Sequence, residues 1–406
     1  MAQLSKGTSG MTRQWVATGV VTAALVGVIT AVSVTVPRDG VSVAASGASG
    51  ISVTATDNSC AADVRPTTTG PAVFTVHNRS QLPQEVYLVK EPEAGSVART
   101  IVLGPDTAVS IHAVLGPGKY GFQCLRGGQL VASSPPFDVT GPTPASLTPA
   151  IAQASTGELI KADNLYLKYV GSVLDTLTTQ TANLEQSLSS GNRAKAQTDL
   201  LTAQQSWASV GAAYNSFGDL GSAIVGSLDA AKPAAQDADF TGLGRIEYGL
   251  YHGEDVRSLA PLAAKLQTDV TTLSAEVPRL VLGKGTLGLR AHEILEDTLR
   301  DRLSGQDDEG SGMAFAIAVG DVTSTRAAVS ALTTALEARK PGLVATINAE
   351  LDSVDKALET MQSNGKWITF TDSTLAQRQP INASVSAALE TLAQIPQLLA
   401  LPQGNE

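Results

Sequence analysis

The stretch "LRAHEILEDTLRDRL", Leu289 to Leu303, decides how the larger part of this chain is read. At about 100° per residue, His292, Leu295, Glu296, Leu299 and Leu303 fall on one stripe roughly a third of the circumference wide. The pattern predicts an amphipathic helix with an imidazole and a carboxylate on its apolar side. Burying such groups costs several kcal/mol unless each finds a charged or hydrogen-bonding partner, so a metal or an arginine should meet them. Upstream, "FTGLGRIEYGLYHGED" (240–255) places Glu247 among Phe240, Leu243, Leu250 and Tyr251 on a second inward stripe. Two helices that each aim a carboxylate inward, one with a histidine four residues ahead of it, can build an oxygen-rich metal site in a bundle. Glu247, His292 and Glu296 are the candidate ligands. The structural alternative is neutralisation of the same acids by Arg245, Arg290 and Arg300.

Around these segments the whole of 151–406 has helical periodicity. Leu159, Tyr166, Val170, Val173, Leu177, Leu184 and Leu188 recur at helical spacing, as do Val344, Ile347, Leu351, Val354, Leu358 and Met361. An all-α bundle is expected, broken at Gly191-Asn192, Pro233, Gly283 to Gly285, Gly310 to Gly312, Pro341-Gly342 and Asn364-Gly365. A Pro-rich connector at 141–150 precedes it.

Residues 51–140 switch to short β-rich runs: "ISVTAT", "AVFTVHN", "EVYLVK", "TIVLG", "AVSIHAVL", "KYGFQCL" and "PFDVT", separated by Gly, Pro and Asn turns. Seven such runs predict an all-β sandwich. Its two cysteines, Cys60 and Cys124, have two readings. One is a disulfide, which in the chain-entropy view stabilises by roughly 4 kcal/mol. The other is a metal site in which Glu85 joins both thiolates. A blue-copper centre is argued against, because no methionine stands between Met11 and Met313 and no histidine follows Cys124 within the sandwich. His77 and His112 read as surface residues.

At the N-terminus, Trp15 to Val36 carries no charge and is flanked by Lys6, Arg13 and Arg38. Residues 1–36 are therefore a cytoplasmic stub with a membrane anchor, or a cleaved signal segment, and 37–50 form a flexible spacer. Either way the main domains are extracytoplasmic. A net charge of -10 over 406 residues, with no basic run, argues against nucleic-acid binding and favours cationic ligands. There is no HExxH, GxSxG, Walker loop or CxxC, and only four histidines, so hard, carboxylate-preferring iron suits the composition better than a His-rich zinc or copper centre.

At these residues the chain resembles the EfeO family, extracytoplasmic components of ferrous-iron uptake systems. The segments "FTGLGRIEYGLYHGED", "LRAHEILEDTLRDRLSGQDDEGSG" and "ARKPGLVATINAELDSVDKALE" carry the likeness, which covers nearly all of the chain after the spacer. The resemblance implies a cupredoxin-like sandwich followed by an imelysin-like bundle. It implies iron (Fe2+ or Fe3+) as the bound ion, with copper or zinc as alternatives, and an iron permease and a haem peroxidase as partners. Cys60, Glu85 and Cys124 stand where the family carries its cysteine pair and glutamate, and His292, Glu293 and Glu296 match its HExxE. The chain departs from the family's G-x-H-x-x-E at Gly244, where the histidine is missing. It departs again at Gln204 and Ala208, where relatives carry a histidine and an acid. A second function is therefore open: a paralogue with a degraded bundle site that acts as a cell-surface interaction module. Peptidase activity, which the imelysin name suggests, finds no nucleophile or zinc motif to support it.

Overall fold

The computed structural model describes residues 49–400, except 65–66, 92–94, 101, 127–128, 229–233, 235–236, 238–239 and 284. The expected membrane segment, most of the spacer and the break at Pro233 lie outside the described residues. Among the described residues, no helix is long and apolar enough to cross a membrane.

The β-rich region forms strands β1 (Ser49–Ala55), β2 (Cys60–Ala62), β3 (Thr67–Thr68), β4 (Gly70–Asn78), β5 (Glu85–Glu91), β6 (Gly95–Arg99), β7 (Ala108–Leu115), β8 (Gly118–Arg126), β9 (Gln129–Ser133) and β10 (Phe137–Thr140). One sheet runs β2-β1-β4-β7; the other runs β3-β10-β8-β5-β6, with β9 beside β8. Strand alternation explains the packing: on β4, Ala72, Phe74 and Val76 point into the core while His77 lies on the other face. Phe74 meets Phe122 edge-on at 5.2 Å between centroids, and Phe137 stacks on Phe122 at 5.9 Å. His112 is exposed on β7, opposite Val73 of β4, so both sandwich histidines lie outside the core.

Six of the seven expected runs coincide with strands, and "TIVLG" does not. The strand is the preceding β6, because the Thr100 hydroxyl accepts the Val86 N–H at 3.0 Å where a backbone carbonyl would have continued the ladder. Leu103 then makes a single bridge to Gln84. The connector is stitched to the sandwich: Thr148 exchanges hydrogen bonds with the Val114 backbone, and Ile151 exchanges two with Ser96.

The helical region comprises α1 (Thr156–Ser190), α2 (Arg193–Ala208), α3 (Gly218–Val225), α4 (Gly242–Tyr251), α5 (Ala260–Glu276), α6 (Thr286–Asp297), α7 (Ala314–Glu337), α8 (Leu343–Glu359), α9 (Leu375–Leu392) and α10 (Gln394–Leu399). A capping box between Ser155 and Glu158 starts α1, and Gly191, left-handed at φ 76°, ends it beside the Asn192 cap of α2. Asn364 and Gly365, both at positive φ, turn the small hairpin β11 (Gln362–Ser363) to β12 (Lys366–Trp367). The periodic residues of α1 and α8 form the bundle core, with Tyr166, Val170, Leu177, Leu184, Ile347, Leu351 and Leu358 fully enclosed.

One expectation is corrected here. The buried stripe of α6 is Leu287, Gly288, Ala291, Ile294 and Leu295, continuing to Thr298. His292 lies at its margin, 23% exposed, and Glu296 lies outside it, 55% exposed. The reason is a change of helical pitch. Thr298–Arg302 is a π-helical turn in which the Leu303 N–H bonds the Thr298 carbonyl, five residues back, at 2.8 Å. That wider turn rotates Leu303 back into the core, so a constant pitch drawn through Leu303 misplaces the stripe toward His292 and Glu296.

Candidate cation site

The two sequence-derived ligand sets are not assembled by the fold. In the sandwich, Cys60 and Cys124 are joined by a disulfide with their Cα atoms 5.6 Å apart, inside the core between the sheets. Val86 pairs in register with Cys124, and Glu85 pairs with Leu125. Adjacent strand residues face opposite ways, so Glu85 shares the outer face with Tyr87 and Leu125. There its carboxylate accepts the Tyr87 hydroxyl at 3.1 Å. Burial, followed by the charge of Glu85, raises the Tyr87 phenol above its ordinary range. The thiols are therefore bonded to each other, and the glutamate lies behind the sheet.

In the bundle, His292 Nδ1 is 3.6 Å from its helix neighbour Glu296, at the outside of α6. Glu247 is elsewhere and is 3% exposed. Its Oε2 accepts the Gln204 side-chain amide at 2.6 Å and its Oε1 accepts the Ser311 N–H at 3.2 Å. The Asp308 carboxyl lines the same small void as Glu247. Asp308 in turn gathers the N–H groups of Gly310 and Gly312 and the Ser311 hydroxyl, which fixes the loop before α7. Burial, and then the neighbouring Asp308 carboxyl, push Glu247 up to about 7, with the Ser311 contact pulling the other way.

The departures from the family pattern now have physical content. Gln204 places an amide on the Glu247 carboxylate. Gly244 leaves no vacancy for a histidine: a Cβ there would lie 2.3 Å from the Gly226 carbonyl oxygen. His252 stacks on the Tyr248 ring at 3.9 Å and bonds the Tyr248 carbonyl, exposed to solvent, so it does not replace the missing group.

Beside this closed region lies an open cleft of about 640 Å³. Trp207, Ala208 and Tyr214 form part of its wall, and five aspartates line it among the described residues: Asp219, Asp297, Asp301, Asp307 and Asp321. Asp297 and Asp301 come from the end of α6 and its π turn, on a different face from His292 and Glu296. Asp307 comes from the following loop and Asp321 from α7. Arg302 pairs with Asp321 at 2.6 Å and lies 3.9 Å from Asp307. Burial raises the carboxyls of both Asp307 and Asp321, and Arg302 counters the shift in each. Tyr214 donates to Asp297 at 2.9 Å, and burial followed by that contact pushes its hydroxyl up to about 12. Arg302 and Asp307 also line a void of about 10 Å³ that touches Glu247 and Asp308. That is of the order of one water.

Hard carboxylate oxygens in an open, negatively charged cleft suit a hard cation. Among the described residues, no three His, Cys, Asp or Glu side chains converge tightly enough to form a finished metal cage. Helical phase and the cysteine pair point to Glu247, His292, Glu296, Cys60, Glu85 and Cys124 rather than to the cleft acids, whose signal in the sequence is the acidic run "EDTLRDRLSGQDDEG" (296–310).

The imelysin family model matches residues 166–399, more than half of the chain. The iron uptake system component EfeO of Escherichia coli (strain K12) is 25% identical over 351 residues, covering 86% of this chain and 92% of that protein. The EfeO proteins of Shigella flexneri and of Escherichia coli O157:H7 match to the same extent.

Proposed function

The chain belongs to the imelysin family, and from that premise we propose that it is an extracytoplasmic iron-binding component of an iron uptake system, which captures iron and passes it to a membrane permease. One observation carries the reading: a cleft walled by five aspartates, in a chain aligned over 86% of its length with proteins named as iron uptake components. We place capture in that cleft rather than at Glu247, His292 and Glu296, because those three are dispersed and Glu247 is occupied by Gln204. The relatives' names speak for binding rather than catalysis. A disulfide in the sandwich core fits an oxidising compartment outside the cytoplasm. The cupredoxin-like kinship of the sandwich, and the permease and haem peroxidase as partners, belong to the same proposal.

The test is iron binding by the purified protein, measured by anaerobic calorimetry and by elemental analysis after preparation without chelators. Asp301→Asn/Asp307→Asn should bind iron at least about tenfold more weakly than the wild type, since ligand charge sets affinity for a hard cation. Equal binding by the two proteins would place capture elsewhere.

A second reading, the interaction module with a degraded bundle site, is favoured by the Gln204–Glu247 hydrogen bond and the closed space at Gly244. Metal-free protein that co-purifies with other envelope proteins would select it.

A further inference from the structure

The connector between the sandwich and the bundle is held at both ends, by different means. On the sandwich side, Ile151 exchanges both of its backbone hydrogen bonds with Ser96 of β6, at 2.8 and 2.9 Å. Ala150 packs against the sandwich core. A Cβ on Gly95 would lie 2.9 Å from the Ala150 Cβ, so glycine is what lets the connector come this close to β6. On the bundle side, Ala154 is enclosed in the helical core and Ser155 caps α1. Between them stands Arg339, just past the end of α7, with its side chain only 1% exposed. An arginine is almost never enclosed unless it is paired. One terminal nitrogen donates to the Gln153 carbonyl at 2.7 Å and to Glu158 Oε2 at 3.1 Å. The other donates to the Ala335 carbonyl at 2.7 Å and to Glu158 Oε1 at 3.3 Å. This forked pair, helped by the bonds from Ser155, holds the Glu158 carboxyl down at about 2, so the pair stays charged at neutral and mildly acidic pH.

A single residue, Ala152, separates the connector residue bonded to the sandwich from the one bonded to the bundle. A hinge is a run of a few residues free to change φ and ψ, and this joint leaves no such run. A second tie leaves the same strand: the Arg99 guanidinium, at the end of β6, donates to the Gln397 carbonyl of α10 at 2.9 Å. Domains joined by a linker move relative to one another by default unless something fixes them. We propose that the sandwich and the bundle act as one rigid unit, locked at the connector by Arg339, so that a partner docking on one domain meets the other at a fixed distance and orientation. Arg339 is a positioning residue in this device: it joins the end of α7 to the point where the chain leaves the sandwich, and it touches no part of the cleft.

Double electron–electron resonance on the full-length protein tests this, with spin labels at His112→Cys on β7 and Lys356→Cys on α8, both exposed positions. The native cysteines are bonded to each other and take no label. The otherwise wild-type protein should give one narrow distance distribution. Arg339→Met keeps an apolar stem but removes every bond to Gln153 and Glu158, and should broaden the distribution at least about twofold, since relative domain motion returns once the joint is loosened. Circular dichroism reports whether the bundle remains folded in that variant. Ile151→Pro removes the N–H that Ser96 accepts without touching the helical core, and should broaden the distribution as well. A broad or multiple distribution in the wild type would overturn the rigid unit. A narrow one in folded Arg339→Met would overturn the lock at Arg339. Should Arg339→Met fail to fold, Ile151→Pro decides: broadening supports the connector as the lock, and an unchanged distribution overturns it.

Discussion

The sandwich and the bundle each present a ligand trio in sequence, and each dismantles it by a different geometry. In the sandwich the separation is absolute. Glu85 and Val86 are neighbours on one strand, and a step of one residue turns a side chain to the opposite face of the sheet, so Glu85 lies behind the sheet from Cys124. In the bundle the separation is a matter of phase. A helix turns about 100° per residue, so a modest change in the inward direction leaves His292 at the margin and Glu296 outside the core. The contrast teaches that buried polar groups are satisfied from within wherever the fold closes around them. The cysteines bond each other and Glu247 bonds Gln204 and Ser311, whereas the acids of the open cleft pair with side chains at its rim, Asp321 with Arg302 and Asp297 with Tyr214.

The sharpest way to break the comparison is to reopen the closed sites. Replacing both Cys60 and Cys124 with alanine removes a cross-link spanning 64 residues of sequence. That should cost about 4 kcal/mol in the chain-entropy view, read from urea denaturation of the sandwich. Survival without loss of stability, together with metal uptake by the reduced wild-type protein, would restore the thiolate reading of Cys60 and Cys124.

Next in size is Gly244→Ala. The added methyl meets the Gly226 carbonyl oxygen at 2.3 Å, and overpacking against backbone should cost about 3 kcal/mol, seen as a lowered melting temperature. Gly244→His should be no less damaging and should not create a metal site. A stable histidine variant that gains zinc or iron would show that the bundle site is only dormant.

Glu247 provides a pH test of its closed surroundings. Its folded value, about 7, lies above the ordinary 4.5, so its contribution to stability is fully present below about pH 4.5 and is lost as pH rises through 7. The wild type should therefore lose of the order of 3 kcal/mol relative to Glu247→Gln between pH 4.5 and pH 8, from melting curves of both proteins. Parallel curves would mean that Glu247 is ionised in the fold and free to serve as a ligand.

The smallest structural effect should come from the cleft itself. Asp219→Asn changes a side chain of the open wall, so stability should move by less than about 0.5 kcal/mol. Its affinity for iron should fall about two- to threefold through loss of one charge. A large fall in stability without a change in binding would make the acid structural, like those of the closed region.

Much of this architecture was legible in the residues. Strand alternation in "AVFTVHN", the helical repeat through Ile347, Leu351, Val354 and Leu358, and the breaks at Gly191-Asn192 and Asn364-Gly365 all correspond to observed elements. These are local properties, governed by side-chain period and by which residues tolerate a left-handed backbone. The identity of the family was likewise carried by the segments around Glu247 and His292, and the imelysin match spans both. The site was only partly legible. That Glu247 is a buried acid followed from its stripe, but that Gln204 and Ser311 would meet it did not, since they lie 43 and 64 residues away in sequence. The phase of α6 depended on a π turn that no hydrophobic period announces. Nor could spacing tell that Asp219, Asp307 and Asp321 would share a wall with Asp297 and Asp301. Sequence alone determined which elements form and which chemistry they carry, because those depend on neighbours along the chain. Which acids were enclosed and satisfied, and which line an open cleft, only the tertiary structure decided, because burial and charge pairing depend on neighbours in space.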